Sequence, residues 1–599
     1  MAEQVEAGKP LPEWAWLLLL LVLCLFAVGP LMLPGYHWEA QDARHSIYFL
    51  LEFDRAISDG IIYPRWAPDF TFGYGYPFFN IYGPFSCYLG EALHLLGCDL
   101  VTAVKLVFAI GAIASALSAY LWLRLYARPP GALLGALLYL YAPYHIVDLY
   151  VRASLAEVVA LAFLPLCLWA FDRLLRRPSV GGLVLSGFSY AGLMLSSQLL
   201  TMLFSPVLGG FLLVQVYKRM KALRKSKFSL PKLLALARLL LPPALAILLG
   251  LGLSAIFWLP AFAEYKYVRT DQWVGGYYEY RNHFISLFQL FRLHWDFGVS
   301  LPGPDDGLSF QLGLVPVALT CLGLLSWRQL PPAWRHITMY FLVTTGIVIF
   351  LVLPVSQPVW QAIGLVRFAQ FPWRLLALTV LTLSFLAVTS FANWRNDTMA
   401  AAMTLLWSLL IILPVYPYLQ AQVRPSVPNE VSLQGLMRFQ QSADEMTGST
   451  IWVKEIPRWS PLADQIMAGI PITTKVDYVS AYGSGHLVPH SMAFGTTYER
   501  VWFQADDDQQ RLRFHTFYYP GWQAYILDEK TEQVQGTATI IPEGELGLIT
   551  VPVPQGRHIL LLVFEDTPVR KAGTALTVMS VVACLALGLG ALVLRLHRR

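Results

Sequence analysis

Asp42 and His45 stand three residues apart, a spacing that sets them side by side on one face of a helix. They follow directly on an apolar run, Trp14 to Pro34, which is long enough to cross a bilayer at ~20 residues per crossing. A carboxylate at a membrane edge is costly to place. It can take a proton from a hydroxyl or give its oxygens to a hard cation. A second group is Asp148, Arg152 and Glu157, at spacings of four and then five. On a helix these place Asp148 beside Arg152, with Glu157 partly round the same cylinder and inside an apolar run. Asp42, Asp148 and Glu157 are therefore the candidate catalytic carboxylates. Asp42 and Asp148 are the candidate ligands of a divalent cation, Mg or Mn, and the sequence calls for no other cofactor. Each has a plain structural counterpart. Asp42 suits the start of a helix through the dipole, His45 an interfacial position, and Asp148 with Arg152 an ion pair tying off a helix end. Arg367 and Arg374 flank FPW and can grip a phosphate with two N–H groups, or simply snorkel from a helix end. Glu264 and Lys266 carry the same ambiguity.

The chain that must position these groups has 599 residues, 56% hydrophobic and 14% charged, with mean hydropathy +0.52. That composition belongs to a polytopic membrane protein and excludes a single soluble core. The net charge of +5 is unevenly spread: Tyr418 to Lys571 holds 17 acidic and 12 basic residues, leaving +10 for the remainder. The basic residues gather in short segments, which points to cytoplasmic loops and not to nucleic acid. They are Arg124 with Arg128, Arg173 with Arg176 and Arg177, eight Lys/Arg within Lys218 to Arg238, Arg328 with Arg335, Arg395, and Arg595, Arg598 and Arg599. Placing them all inside gives about twelve crossings, near 14–34, 101–123, 131–147, 154–172, 181–197, 199–217, 239–260, 308–326, 337–355, 373–392, 399–418 and 574–594. Both termini are then cytoplasmic, and the first run is a retained anchor. Parity makes Phe85 to Leu96 a short packed helix and demands a turn near Ser196–Ser197–Gln198. Four Cys fall in apolar runs; Cys87 and Cys98 flank a short external segment, and their pairing stays open.

The segments left outside are 35–100, roughly 148–152, 261–307, 356–372 and 418–571. The first carries an amphipathic pattern from Ser46 to Ile57, expected to lie along the interface with its apolar side towards lipid. After it comes a Gly/Pro arm with seven aromatic residues between Phe70 and Tyr82, among them Tyr74 and Tyr76. These suit the headgroup level and a substrate-lining surface. Segment 418–571 alternates with period two in ERVWFQA, RLRFHTFYY and RHILLLVFED, punctuated by Pro–Gly and Glu–Gly turns, and is expected to be an independently folded external β-sandwich.

The wording QDARH, GIIYPRW and GYGYPFFNIYGP, with LYVRASLAE, LGLSAIFWLPAFAEYKYV, FAQFPWRLL and FYYPGWQAY, resembles the GT-C superfamily of membrane glycosyltransferases. Within it, the likeness is to a bacterial branch labelled 6-pyruvoyl-tetrahydropterin synthase-related, whose relatives are YfhO-like membrane proteins. The resemblance implies a GT-C-like transmembrane domain over 1–417 with a large first external loop at 35–100. An external β domain over 418–571 and a final helix with basic tail over 572–599 complete it, all in a bacterial plasma membrane. It implies transfer of a hexose or pentose from a polyprenyl-phosphate donor to a glycan, lipid or protein acceptor on the external face. Asp42 would then be the base. Asp148 and Glu157 are further catalytic carboxylates, and His45, Arg152, Glu264, Arg367, Arg374, Tyr74 and Tyr76 the substrate contacts. Two other readings stay open: a non-catalytic GT-C-like protein that handles envelope polymers, and a transporter, which the absence of a repeat disfavours.

Overall fold

The structure is a computed structural model and describes residues 11–222, 230–303, 306–392, 397–419, 422–443 and 445–596. Among these, nine helices are long and apolar enough to cross a membrane. The number is ten if Pro129–Leu140 and Pro143–Tyr150, bent by 47° at their junction, form one broken span. Val180–Ser196 and Leu314–Leu325 occupy two further expected crossings but are shorter. The difference from twelve has local causes. Pro143 cannot continue the preceding helix. Residues 308–313 stay extended, with Leu312 N–H bonded to Leu290 O (2.9 Å), so the helix starts only at Leu314.

The chain does turn at Ser197. One helix ends at Ser196 and the next starts at Gln198, and Tyr190 OH reaches Ser205 Oγ at 2.9 Å. In one straight helix those residues would lie ~22 Å apart.

The two ends of the bundle differ in chemistry. At the start of the Leu100–Leu123 helix, Lys105 Nζ donates to the carbonyls of Leu33 and Gly35; at its other end, ~36 Å away, Arg124 binds Glu13. The Arg124 end also holds Asp172, which accepts from Tyr126 and Arg176 and pairs with Arg219. The backbones of 223–229, Arg395, Arg598 and Arg599 lie outside the described residues, as does the side chain of Arg595. At the Lys105 end, segments separated by hundreds of residues join. Tyr36 pairs with Arg424 and Val268 with Thr450 through the backbone, and Gln41 Nε2 donates to Gly298 O at 2.8 Å.

The amphipathic helix spans Ala43–Ser58, and its apolar face does not meet lipid. Ile47, Leu50, Phe53 and Ala56 are buried within the protein, on the Phe85–Leu95 and Leu100–Leu123 helices and on the segments beyond. The helix is a cross-brace whose two flanks belong to two different cores.

The strands are β1 (Leu487–Gly495), β2 (Tyr498–Ala505), β3 (Arg511–Phe517), β4 (Trp522–Asp528), β5 (Val534–Ala538), β6 (Ile541–Glu543), β7 (Leu548–Pro552) and β8 (Gly556–Phe564). They form a five-stranded sheet, β1-β2-β8-β4-β5, and a three-stranded sheet, β3-β7-β6. The inward residues of both sheets, Val501, Phe503 and Leu560 on one and Leu512, Phe514 and Val551 on the other, share one core, so the sandwich is real. It begins later than the composition shift at 418: Leu433–Ala443, Pro461–Met467 and Tyr478–Gly483 are helical.

Nor is that core made by 418–571 alone. Trp66, Phe70, Phe72, Tyr74, Tyr76 and Phe79 of the arm are all buried in it, with Tyr74 stacked on Phe517 at 5.1 Å. Ser460 Oγ donates to Phe72 O, and Lys475 Nζ donates to Pro68 O (2.6 Å) and Gly73 O (2.8 Å). Gly75 has φ +83°, and a Cβ there would come within 2.6 Å of the Trp66 ring. This corrects the expectation for Tyr74 and Tyr76, which are core residues and not a substrate surface. The shared core also argues against independent folding of 418–571. Six aromatic side chains at ~2 kcal/mol of burial each amount to about the whole stability of a domain. Excised 418–571 is expected to bind hydrophobic dyes and to melt without a cooperative transition. A sharp calorimetric transition for that fragment would refute the shared core.

Candidate functional site

Pro143–Tyr150 is a two-turn helix with Pro at its first position, and it unwinds at Val151. Ala153 takes φ +53°, a left-handed step that reverses the chain into the next helix, Leu155–Arg176. The reversal wraps Asp148, Arg152 and Glu157 around one guanidinium. Arg152 Nη1 donates to Asp148 Oδ1 (2.5 Å), Glu157 Oε2 (3.0 Å) and Tyr144 OH (3.2 Å), and Tyr144 OH donates to Glu157 Oε1 (2.5 Å). The guanidinium lies over the Trp373 ring at 4.9 Å, and Trp373 Nε1 is anchored on Ser300 Oγ at 3.1 Å. Asp148 is 0%, Arg152 2% and Glu157 5% exposed.

Asp42 meets this cluster through the backbone. Gln41 N–H donates to Val151 O (3.0 Å) and Asp42 N–H to Arg152 O (2.6 Å). Asp42 occupies the N-cap position of the Ala43–Ser58 helix, yet its carboxylate makes no capping bond. It is partly exposed and lies within electrostatic reach of Asp148, Arg152, Arg374, Tyr82 and Tyr278. One turn on, His45 Nε2 contacts Glu445 Oε2 at 2.7 Å. Burial alone would push the His45 imidazole down. The Glu445 hydrogen bond, with the charges of Asp42 and Glu445, outweighs it and holds the pKa above its ordinary value. Arg374 donates through Nη1 to Gln370 Oε1 (2.8 Å) and stacks over Phe371 (4.9 Å).

Among the buried polar atoms of this group without a hydrogen-bond partner are His45 Nδ1, Asp148 Oδ2 and Arg374 Nε. Asp148 Oδ2 is an acceptor and Arg374 Nε a donor, so the two are free to meet a ligand or a solvent molecule.

The structure thus brings together Asp42, His45, Asp148, Arg152, Glu157 and Arg374. It sends the other candidates elsewhere. Glu264 is buried in a separate cluster and accepts from Arg570 Nε (3.0 Å), Asn80 Nδ2 (2.8 Å) and Thr567 Oγ1 (2.5 Å), so its oxygens are taken up in joining the final helix to the arm. Lys266 lies over the Tyr267 ring and lines an open cleft of about 420 Å³ with Tyr265, Arg269, Asp271, Ile451 and Lys454, a lining that does not include Asp42, Asp148 or Glu157. Arg367 is exposed on the Gly364–Ala369 turn. Cys87 and Cys98 are both free. The residues that sequence reasoning missed are Tyr144, Trp373 and Glu445. Tyr144 had a signal, since it stands four before Asp148 and eight before Arg152.

Among the described residues no three His, Cys, Asp or Glu side chains are grouped so as to hold a metal ion. The donor set available is the Asp42 carboxylate and Asp148 Oδ2. Two carboxylate oxygens suit a hard cation of the Mg kind, which keeps several waters of its own.

Residues 82–246 match the family model of dolichyl-phosphate-mannose-protein mannosyltransferases. That interval contains Asp148, Arg152 and Glu157, and excludes Asp42, Arg374 and the β domain. An uncharacterized protein of Lactococcus lactis subsp. cremoris (strain MG1363) is 22% identical over 254 residues, 42% of this chain and 39% of that protein, so the match spans well under half of the relative. Among solved structures, the chain is similar to the oligosaccharyltransferase of Archaeoglobus fulgidus, crystallised with Zn and sulfate. The identity there is 15% over 71% of this chain and 55% of that one, with TM-score 0.37. It is also similar to the mycobacterial arabinofuranosyltransferase AftD (13%, 94% of this chain, 42% of that one, TM-score 0.40). A third is arabinosyltransferase EmbB of Mycobacterium smegmatis (11%, 94%, 64%, TM-score 0.34). These are distant likenesses. The chain is a polytopic membrane protein with a glycosyltransferase-like segment.

Proposed function

We propose that this protein is a GT-C-type glycosyltransferase of the bacterial plasma membrane, moving a sugar from a polyprenyl-phosphate donor to a hydroxyl of an external acceptor. The basic end of the bundle faces the cytoplasm, and the end that gathers Asp42 and the β domain faces out. The observation that carries the reading is the pairing of an uncapped, partly exposed Asp42 with an orphaned donor, Arg374 Nε, beside a rigid carboxylate cluster. Asp42 takes the proton of the acceptor hydroxyl as its oxygen bonds to the sugar carbon. The bond from that carbon to the phosphate oxygen breaks, and the leaving phosphate keeps the electron pair. Arg374, with its unpartnered Nε, meets the charge that develops there. Arg152, already shared between two carboxylates, holds the floor of the site. Asp42 and Asp148 Oδ2 would be the protein ligands of a divalent cation, which would add charge neutralisation at the leaving phosphate.

The non-catalytic reading has one observation in its favour: Asp148, Arg152, Glu157 and Tyr144 largely satisfy one another, as a purely structural knot would. Purified protein in nanodiscs, given polyprenyl-phosphate sugars, an acceptor mixture and Mg or Mn, is expected to release free polyprenyl phosphate above the rate of a denatured control. Donor binding without release, across hexose and pentose donors, would overturn the transferase reading in favour of the non-catalytic one.

A further inference from the structure

The Glu445–His45 contact joins the turn that carries Asp42 to a stretch of the C-terminal segment. Glu445 follows the Leu433–Ala443 helix, and its Oε2 lies 2.7 Å from His45 Nε2. The imidazole is 17% exposed and is gripped edge-on by Phe439 at 5.1 Å and Phe49 at 5.8 Å. Phe439 in turn stacks on Tyr48 and lies under the Arg44 guanidinium, so the first turn of the Ala43–Ser58 helix is clasped from outside by one short helix. The charged groups that act on His45 are Asp42 on its own turn and Glu445 across from it. Tyr277 and Tyr278, within reach of both carboxylates and of Arg374, complete the rim.

Charge balance gives the contact a consequence. Asp42, Asp148, Glu157 and Glu445 bring four carboxyl groups to this region, with the guanidiniums of Arg44, Arg152 and Arg374 around them. A protonated His45 adds a cation beside Asp42 and Glu445. An anionic donor entering here meets one net negative charge fewer with His45 protonated than without it.

We propose that Glu445 is a positioning residue for the transfer reaction. Through its ion pair with His45 it fixes the turn that carries Asp42 and keeps a positive imidazolium there, so the C-terminal segment completes the site. This rests on the transferase reading. Because Glu445 favours the charged imidazole, His45 stays protonated above the ordinary histidine range and loses its proton only as the pH rises further; activity should fall with it on the alkaline side. In Glu445→Gln, burial is opposed only by the Asp42 charge and a backbone hydrogen bond, and the imidazole becomes neutral at lower pH.

The test has two readouts on the full-length protein in nanodiscs. Isotope-labelled histidine NMR, with His45→Asn to assign the signal, follows the His45 titration without any substrate. Glu445→Gln is expected to lower its midpoint by at least about one pH unit, a tenfold change in proton affinity. The pH profile of kcat/KM with a polyprenyl-phosphate sugar should move its alkaline limb by the same amount, with Glu445→Asp restoring part of it. A contact that merely packs would lower the rate equally at every pH. An unmoved NMR midpoint, or a moved midpoint with an unmoved alkaline limb, overturns the proposal. A wild-type protein whose His45 titrates as described but which transfers nothing instead defeats the transferase reading, and the positioning role falls with it.

Discussion

Replacing Arg152 by Met should destabilise the protein by about 3–5 kcal/mol, a large part of the ~5–15 kcal/mol that holds a typical domain folded. The side chain is 2% exposed, and a single nitrogen serves Asp148, Glu157 and Tyr144. Its removal leaves two carboxylates buried side by side with one phenol hydroxyl between them, and the Trp373 face loses its cation. Met fills the space of the aliphatic stem, so the loss is electrostatic and not a cavity. Unfolding in detergent, followed by tryptophan fluorescence against denaturant, measures it. Arg152→Lys should recover part of the loss, because an ammonium restores the charge without the planar fork. Arg152→Met with Asp148→Asn should be less damaging than the two single effects added, since the second change removes one stranded charge. A midpoint for Arg152→Met within experimental error of the native protein would mean that the four side chains are not coupled as their distances indicate.

Which of these features the sequence could announce follows from how far each signal reaches along the chain. Hydropathy is local, so the long helices were legible, and so was the break at Ser197, because the basic loops on either side share one parity. Spacing is also local: Asp148, Arg152 and Glu157 declared themselves, and Tyr144 would have done so had the four-residue step been followed one turn back. The Ala43–Ser58 helix and the aromatic arm were harder. An apolar face or a run of Tyr and Phe states only that something apolar must cover it, and lipid and a β-sheet core meet that demand equally. In the structure the sheet wins, because Lys475, Gln440 and Ser460 bind the backbone polar groups that Gly/Pro conformations leave free at Pro68, Asp69, Phe72 and Gly73. Glu264 shows the converse. Its partner Arg570 lies 306 residues away, and no pattern in either neighbourhood names the other. Glu445 is as far from His45 in this sense, in a polar stretch with no periodicity. Charge composition changes at 418, while strand pairing, a property of distant partners, starts only at Leu487, so the helices between them carried no strand signal.

Asp42→Asn should reduce transfer by about 10²–10⁴-fold while leaving the fold in place, the range that loss of a general base typically produces. The amide keeps the shape of the carboxylate but cannot accept the acceptor's proton. The fold depends little on the side chain: it makes no capping bond, and the link to Arg152 runs through the Asp42 backbone N–H, which the substitution retains. That separates it from Asp148 and Glu157, whose replacement strands Arg152 and lowers stability together with rate. The discriminating experiment is therefore a pair of measurements on each variant, kcat with a polyprenyl-phosphate sugar and the unfolding midpoint. Asp42→Asn should move the first alone, and Asp148→Asn both. Asp42→Glu should retain partial activity, since the base survives at the end of a longer stem. If Asp42→Asn turns over at the native rate, the base is another group; if it loses stability as well as rate, Asp42 is a member of the structural knot after all.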